Sequence, residues 1–172
     1  MILARSTAGA IAGALGATVW AAQQPLDKRV FGCRYDDVEL LGKLVTRGRA
    51  WPVVGLVLHV QNGALFGIAY AHLKTSLPGP PVARGMTAAL IENFALWPLG
   101  ALVDRIHPAR QELPTLGRNP RALAQATWRH AIFGAAVGIL EQQLSERAES
   151  ESSEIPADSN GHGDIEAVLA VS

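Results

Sequence analysis

The chain of 172 residues has a single cysteine, Cys33, and few charged side chains. One cysteine excludes an intrachain disulfide framework and a cysteine-rich zinc site. Charged residues make up 17% of the sequence and hydrophobic residues 49%, whereas soluble domains carry about 25% charged residues. This deficit of charge favours a protein built for lipid. The basic residues are not concentrated on one helix face, so no nucleic-acid partner is predicted.

Four apolar stretches approach or reach the length of about 17 to 25 residues that a membrane-spanning helix needs. The second stretch is the clearest, because it contains no Asp, Glu, Lys or Arg. The third contains one acid, Glu92, and the fourth is interrupted early by Arg129 and His130. Two interpretations fit the first stretch, which follows Arg5: a retained helix or a secretory signal peptide. The predicted spans cover residues 7–22, 51–73, 82–103 and 122–144.

These spans predict an all-α fold, an integral membrane four-helix bundle in residues 1–144 followed by a disordered acidic tail in residues 145–172. The tail holds seven of the fifteen acidic residues and one of the fifteen basic residues, and a segment so poor in apolar residues favours disorder. Residues 38–47 alternate apolar and charged side chains with a helical period. They predict a short helix that either lies at the membrane interface or packs on the bundle.

Two patterns occur twice, in the same order along the chain. A tryptophan is followed seven residues later by an acidic and a basic residue, and the sequence ALFGIA (residues 64–69) is similar to AIFGAA (residues 131–136). This order predicts two tandem helical hairpins, related by an axis along the membrane normal. Coincidence between apolar segments of similar composition is the alternative. The first pattern consists of Trp20 with Asp27-Lys28, and of Trp97 with Asp104-Arg105.

Polar side chains inside a span are costly unless they are paired, so each is a candidate for function. Two imidazoles and a carboxylate could bind a metal, ligate a haem or relay protons. The structural alternative is that they join helices through hydrogen bonds. The sequence contains no H-E-x-x-H, Walker or nucleophile-elbow pattern, so no specific reaction is predicted. The depths of His59, Glu92 and His130 in their spans permit one cluster without establishing it. The candidate cluster is His59, Asn62, Glu92, Asn93 and His130.

Glycines spaced four residues apart let helices approach closely in lipid. Because these glycines outnumber the ionisable groups in the spans, they favour a non-enzymatic bundle that assembles with itself or with another membrane protein, without a cofactor. One alternative is a small proton-coupled transporter or channel that uses Glu92. The other is a metal- or haem-dependent membrane enzyme that uses His59, Glu92 and His130. The glycine pairs are Gly9 with Gly13, Gly63 with Gly67, and Gly134 with Gly138.

Three stretches, HVQNGALFGIAY, IENFALWPLGALVDRIHPAR and TWRHAIFGAAVG, resemble a group of small, uncharacterised bacterial inner-membrane proteins from high-GC genomes. The resemblance covers about residues 8–144 and implies a four-helix membrane fold. It indicates nothing about activity, and no catalytic residue is carried over from it. Eleven of the fifteen Lys and Arg residues lie on one side of the predicted membrane, in or beside the connections between the first and second spans and between the third and fourth spans. Since positive residues stay in the cytoplasm, we expect a multi-pass protein of the bacterial cytoplasmic membrane with both termini outside.

Overall fold

The computed structural model describes residues 2–154. All regular structure within that range is helical and no strand occurs there, so the predicted all-α class is confirmed. The helices are α1 (Ile2–Phe31), α2 (Asp37–Val45), α3 (Trp51–Leu73), α4 (Pro81–Leu96), α5 (Gly100–Ile106) and α6 (Pro120–Glu154). A one-turn 3-10 segment follows α3 (Lys74–Ser76), and another joins α4 to α5 (Trp97–Leu99).

Helices α1 and α3 pack against each other in antiparallel directions, and we call them the first pair. A Cβ atom added to Gly9 would lie 2.8 Å from the Cβ of Ala71 and 2.9 Å from the carbonyl carbon of Gly67. Gly13 faces Gly63 equally closely. These distances lie well inside carbon–carbon van der Waals contact. The first pair therefore depends on glycine at its contact surface.

Helices α4 and α6 form the second pair in the same way. A Cβ atom added to Gly134 would lie 2.7 Å both from the carbonyl carbon of Gly85 and from the Cα of Met86. One turn further along α6, Gly138 faces the backbone of Pro81. All six glycines of the sequence pattern thus lie at contacts between helices of the same chain.

Helix α1 also packs on α6, and this contact joins the two pairs. Helices α1 and α6 are therefore central, whereas α3 and α4 lie on the outer sides. A small apolar core forms where the pairs meet, from alanines of several helices and from larger side chains that include Trp20, Tyr70, Phe133 and Val137.

Helix α2 begins at an N-cap, Asp36, whose carboxylate accepts a hydrogen bond from the backbone N–H of Glu39 at 3.0 Å. A side-chain cap of this type satisfies one of the free donors of the first helical turn. The helix packs on the start of α3, where Gly42 and Gly55 permit backbone contact. The predicted short helix is thus present and packs on the helical body, with Val45 exposed at its end.

Two helices continue beyond the bounds of the predicted spans, where they contact other parts of the protein. Helix α1 continues past residue 22 to Phe31 and includes Pro25, since Gln24 and Asp27 in its polar end are buried in the protein. Helix α6 continues past residue 144 to Glu154. There Lys74 pairs with Glu141 at 2.7 Å, and the hydroxyl of Ser145 donates to the same carboxylate at 2.9 Å. The rest of the predicted tail lies outside the described residues.

The predicted third span is interrupted by a 3-10 segment. The 3-10 segment Trp97–Leu99 contains Pro98 and separates α4 from α5. Proline lacks the backbone donor that a continuous helix needs. The 3-10 segment therefore divides the span into α4 and α5, which together form the segment Pro81–Ile106.

Two segments within residues 2–154 are long and apolar enough to cross a membrane, Trp51–Ser76 and Pro81–Ile106. Helices α1 and α6 are not among them. Helix α1 is rich in alanine and glycine, which bring little apolar surface, and α6 carries polar residues in its first and last turns. The helical bundle is confirmed, whereas four spans are not supported by apolarity alone.

Candidate functional site

A cavity of about 280 Å³ lies where the first and second pairs meet. Helices α1, α3, α4 and α6 all contribute to its wall, and α2 and the segment before it close one end. Most of the lining is apolar, with a few polar groups that converge on the same space. Ligand sites in proteins commonly combine these two features.

All five polar residues of the predicted cluster line this cavity. His59 and Asn62 come from α3, Glu92 and Asn93 from α4, and His130 from α6. The Oε2 atom of Glu92 lies 3.9 Å from Nε2 of His130. The side-chain amide of Asn93 donates to the hydroxyl of Thr127 at 3.2 Å.

Both histidines hold one ring nitrogen against a backbone carbonyl. Nε2 of His59 lies 3.1 Å from the carbonyl oxygen of Ala17, and Nδ1 of His130 lies 2.8 Å from that of Ala126. A carbonyl oxygen only accepts, so these two nitrogens carry hydrogen. In the neutral rings, the remaining nitrogens are acceptors, and that of His130 faces Glu92.

Trp20 lies between the two histidines. Its ring centre is 5.3 Å from that of His59 and 4.6 Å from that of His130, both with edge-on geometry. The indole N–H donates to Asp37 at 3.1 Å. The tryptophan therefore fixes the separation of the imidazoles and connects them to a carboxylate on α2.

The sequence analysis missed the charged group at the end of the cavity. Arg129, which was noted in the sequence only as an interruption of the fourth apolar stretch, has a side chain with no exposed surface. Its Nε donates to Asp27 at 2.6 Å, and its Nη1 donates to Asp37 at 2.7 Å. The amide of Gln125 also donates to Asp27, at 2.6 Å. A buried arginine within a helix needs acidic partners, and this requirement could have predicted the pairing.

Asp37 is the part of this group that faces the cavity. Burial raises the pKa of Asp37, but the Arg129 guanidinium and the Tyr35 hydroxyl, which donates at 2.5 Å, outweigh that effect and lower the pKa. Burial, together with the nearby Asp37 charge, raises the pKa of Tyr35 well above its ordinary value. Asp37 is therefore ionised at neutral pH and Tyr35 keeps its proton.

Within residues 2–154, no three His, Cys, Asp or Glu side chains lie close enough together to hold a metal ion. Cys33 is buried in a separate cluster with Leu116 and Ala122. The cavity contains instead the carboxyl–imidazole pair of Glu92 and His130, two further hydrogen-bond acceptors and aromatic rings.

No protein family, curated protein or solved structure matches this chain. Its function has to follow from the chemistry of the cavity. The cavity can accept and donate protons at Glu92 and His130, and it has space for a small molecule beside them.

Proposed function

We propose that this protein is a proton-coupled membrane transporter that carries a small solute through the cavity between the two helix pairs. One observation carries the proposal: Glu92, His59 and His130, from three different helices, line a single cavity. Ionisable groups at membrane depth commonly mark proton relays and substrate paths. Glu92 and His130, 3.9 Å apart, form the pair at which a proton is held.

A membrane location is supported by the outward faces of the helices. On α3, Val53, Val57 and Leu65 are between 56% and 69% exposed. On α1, Ile11, Leu15 and Val19 recur every four residues, and all are more than two-fifths exposed. A soluble monomer rarely shows so continuous an apolar surface. The face on α1 favours lipid contact for that helix too, as a four-span arrangement requires.

The packing of the two pairs supports the tandem duplication. Gly9 on α1 faces Gly67 and Ala71 on α3, four residues apart. Gly85 on α4 faces Gly134 and Gly138 on α6, also four residues apart. In each pair the second helix runs antiparallel to the first, so both pairs share one contact pattern. The solute site then lies between the two copies, where transporters built from repeats bind their substrates.

The arrangement of helix ends is compatible with both termini outside the cytoplasm. Asp27 near the end of α1 pairs with Arg129 near the start of α6, whereas Lys74 after α3 pairs with Glu141 further along α6. The basic connections therefore share one end of the bundle. By the distribution of positive charge that end is cytoplasmic.

The same structure weakens the reason for proposing assembly with a partner. The glycine pairs that favoured assembly contact other helices of the same chain, so within residues 2–154 they no longer argue for a second protein. The exposed apolar faces of α1 and α3 suit lipid. A transport function, in contrast, uses the polar cavity that the folded chain creates.

Proton flux into liposomes tests this proposal. Purified protein is reconstituted with a pH-sensitive dye inside, and a membrane potential is imposed with a potassium gradient and valinomycin. We expect proton flux in the wild type, loss of flux in Glu92→Gln with unchanged helicity, and full flux in Glu112→Gln. Glu112 is a matched control because it pairs with Lys43 and Arg47 on the surface. Absence of flux in the wild type, or undiminished flux in Glu92→Gln, would overturn the proposal.

A further inference from the structure

We propose that the solute of this cavity is a small aromatic organic cation, which displaces the proton held by Glu92. This inference deepens the proposed function and rests on it for the coupling to protons. It is carried by two features of the cavity: an excess of carboxylates over cationic groups, and a wall rich in aromatic rings.

The charge balance around the cavity is negative. Two carboxyl groups, those of Asp37 and Glu92, line the cavity. The one guanidinium nearby, that of Arg129, pairs with Asp37 and with Asp27, which does not line the cavity. Arg129 is fully occupied by the two aspartates, so Glu92 has only the imidazole of His130 beside it. Among the described residues that line the cavity, none is Lys or Arg. A carboxylate in an apolar wall needs a proton or another cation.

The wall offers the other half of a cation site. Rings from α1, α3, α6 and two connecting segments surround the same space, and two of them, Phe66 and Phe133, have centres 5.0 Å apart. Aromatic faces attract organic cations, and they do so more strongly when the cation is removed from water. The five rings are those of Trp20, Tyr35, Phe66, Trp97 and Phe133.

Size and hydrogen bonding narrow the class of cation. About 280 Å³ is at the lower end of the range for ligand pockets, so it suits one ring with a compact head group. A quaternary ammonium has no N–H to donate and needs no precise acceptor geometry. An anion would enter beside Asp37 with no Lys or Arg in the described wall to pair with it. A neutral solute would leave the proton of Glu92 in place and would not be coupled to it.

Binding exchanges one cation for one proton at Glu92. Without the cation, Glu92 still exchanges its proton with the solutions on both sides, so the proton flux of the liposome assay does not require the solute. The quaternary ammonium enters beside the Glu92 carboxylate, and the proton that Glu92 held leaves to solvent, so charge is conserved in the cavity. The titratable groups that line the cavity with Glu92 are His130 on α6, His59 on α3, Asp37 on α2 and Tyr35 in the segment before α2. We therefore expect affinity for the cation to rise with pH.

Calorimetric titration of the full chain in detergent with benzyltrimethylammonium tests the inference. We expect saturable binding, with proton release shown by a heat that depends on the ionisation enthalpy of the buffer. Glu92→Gln should weaken binding at least tenfold, a loss of about 1.4 kcal/mol or more, whereas Glu112→Gln should bind like the wild type. The neutral analogue neopentylbenzene, in which carbon replaces nitrogen, should show no such dependence on Glu92.

Two further measurements keep the test decisive. If Glu92→Gln loses its helical signal, the wild type is titrated at pH 5 and pH 8, and equal affinity at both values would overturn the inference. Wild-type protein that conducts protons but does not bind benzyltrimethylammonium would also overturn it, while leaving the proposed function intact. Binding with Glu92 dependence but without flux would support the cation site and contradict transport.

Discussion

Replacing Gly134 with alanine tests a close backbone contact of the second pair. An added Cβ would lie 2.7 Å from two backbone atoms of α4, in Gly85 and Met86. Carbon atoms are in normal contact at about 3.5 to 4.0 Å, so the helices would have to separate by about 1 Å. No side-chain rotation can relieve the clash, because both atoms belong to the backbone.

Two opposing energies decide the sign. Alanine is favoured over glycine inside a helix by about 0.8–1.0 kcal/mol, whereas overpacking a tight contact costs about 1–3 kcal/mol. A gap of 0.5–1 Å also forfeits about a quarter to a half of each dispersion contact across the pair. We therefore expect Gly134→Ala to lower the free energy of unfolding by about 1–2 kcal/mol.

Thermal unfolding in detergent, followed by the helical circular dichroism signal, measures this effect. A loss of that size lowers the midpoint by about 2–8 °C for a chain of this length. Gly48→Ala is the control, because an added Cβ there meets only the Thr46 hydroxyl at 3.5 Å and the midpoint should stay unchanged. If Gly134→Ala matches or exceeds the wild-type midpoint, α4 and α6 do not pack at this distance.

Three other predictions follow from the charged residues. Arg129→Met leaves the buried carboxylates of Asp27 and Asp37 without their cation, so the unfolding free energy should fall by about 3–5 kcal/mol; an unchanged thermal midpoint would contradict the pairing. Burial raises the pKa of Asp37, but Arg129 and Tyr35 outweigh it and hold the pKa below its ordinary 3.8. The stability from Asp37 is thus present above about pH 4 and lost as the pH falls through the lowered pKa. Asp37→Asn should flatten the dependence of the midpoint on pH in that acid range, and an equally steep dependence would show that Asp37 is not its source. Alkaline phosphatase fused after Ser172 should be active and green fluorescent protein there dark, whereas the opposite pair of results would invert the orientation.

The helices themselves were predictable because their signals are local. The span from Trp51 to Leu73 has the observed limits of α3, since an uninterrupted apolar run ends where its apolar character ends. Pro98 marked the break between α4 and α5, because a missing backbone donor acts within one turn. The four-residue spacing likewise predicted close helix contacts at Gly9, Gly63 and Gly134. It did not predict that the contacting helices belong to the same chain.

What the amino-acid order determined by itself is therefore the class of fold and the sites where helices can approach. Tertiary structure alone decided which charges became internal. Nothing in the sequence indicated that Asp27, Asp37 and Arg129 are buried together, because the partners lie about 90 to 100 residues apart. The cavity also depends on tertiary structure, because Glu92 and His130 are distant in sequence. Only the packing of α4 on α6 and of α6 on α1 brings a carboxylate, two imidazoles and the aromatic rings around one space.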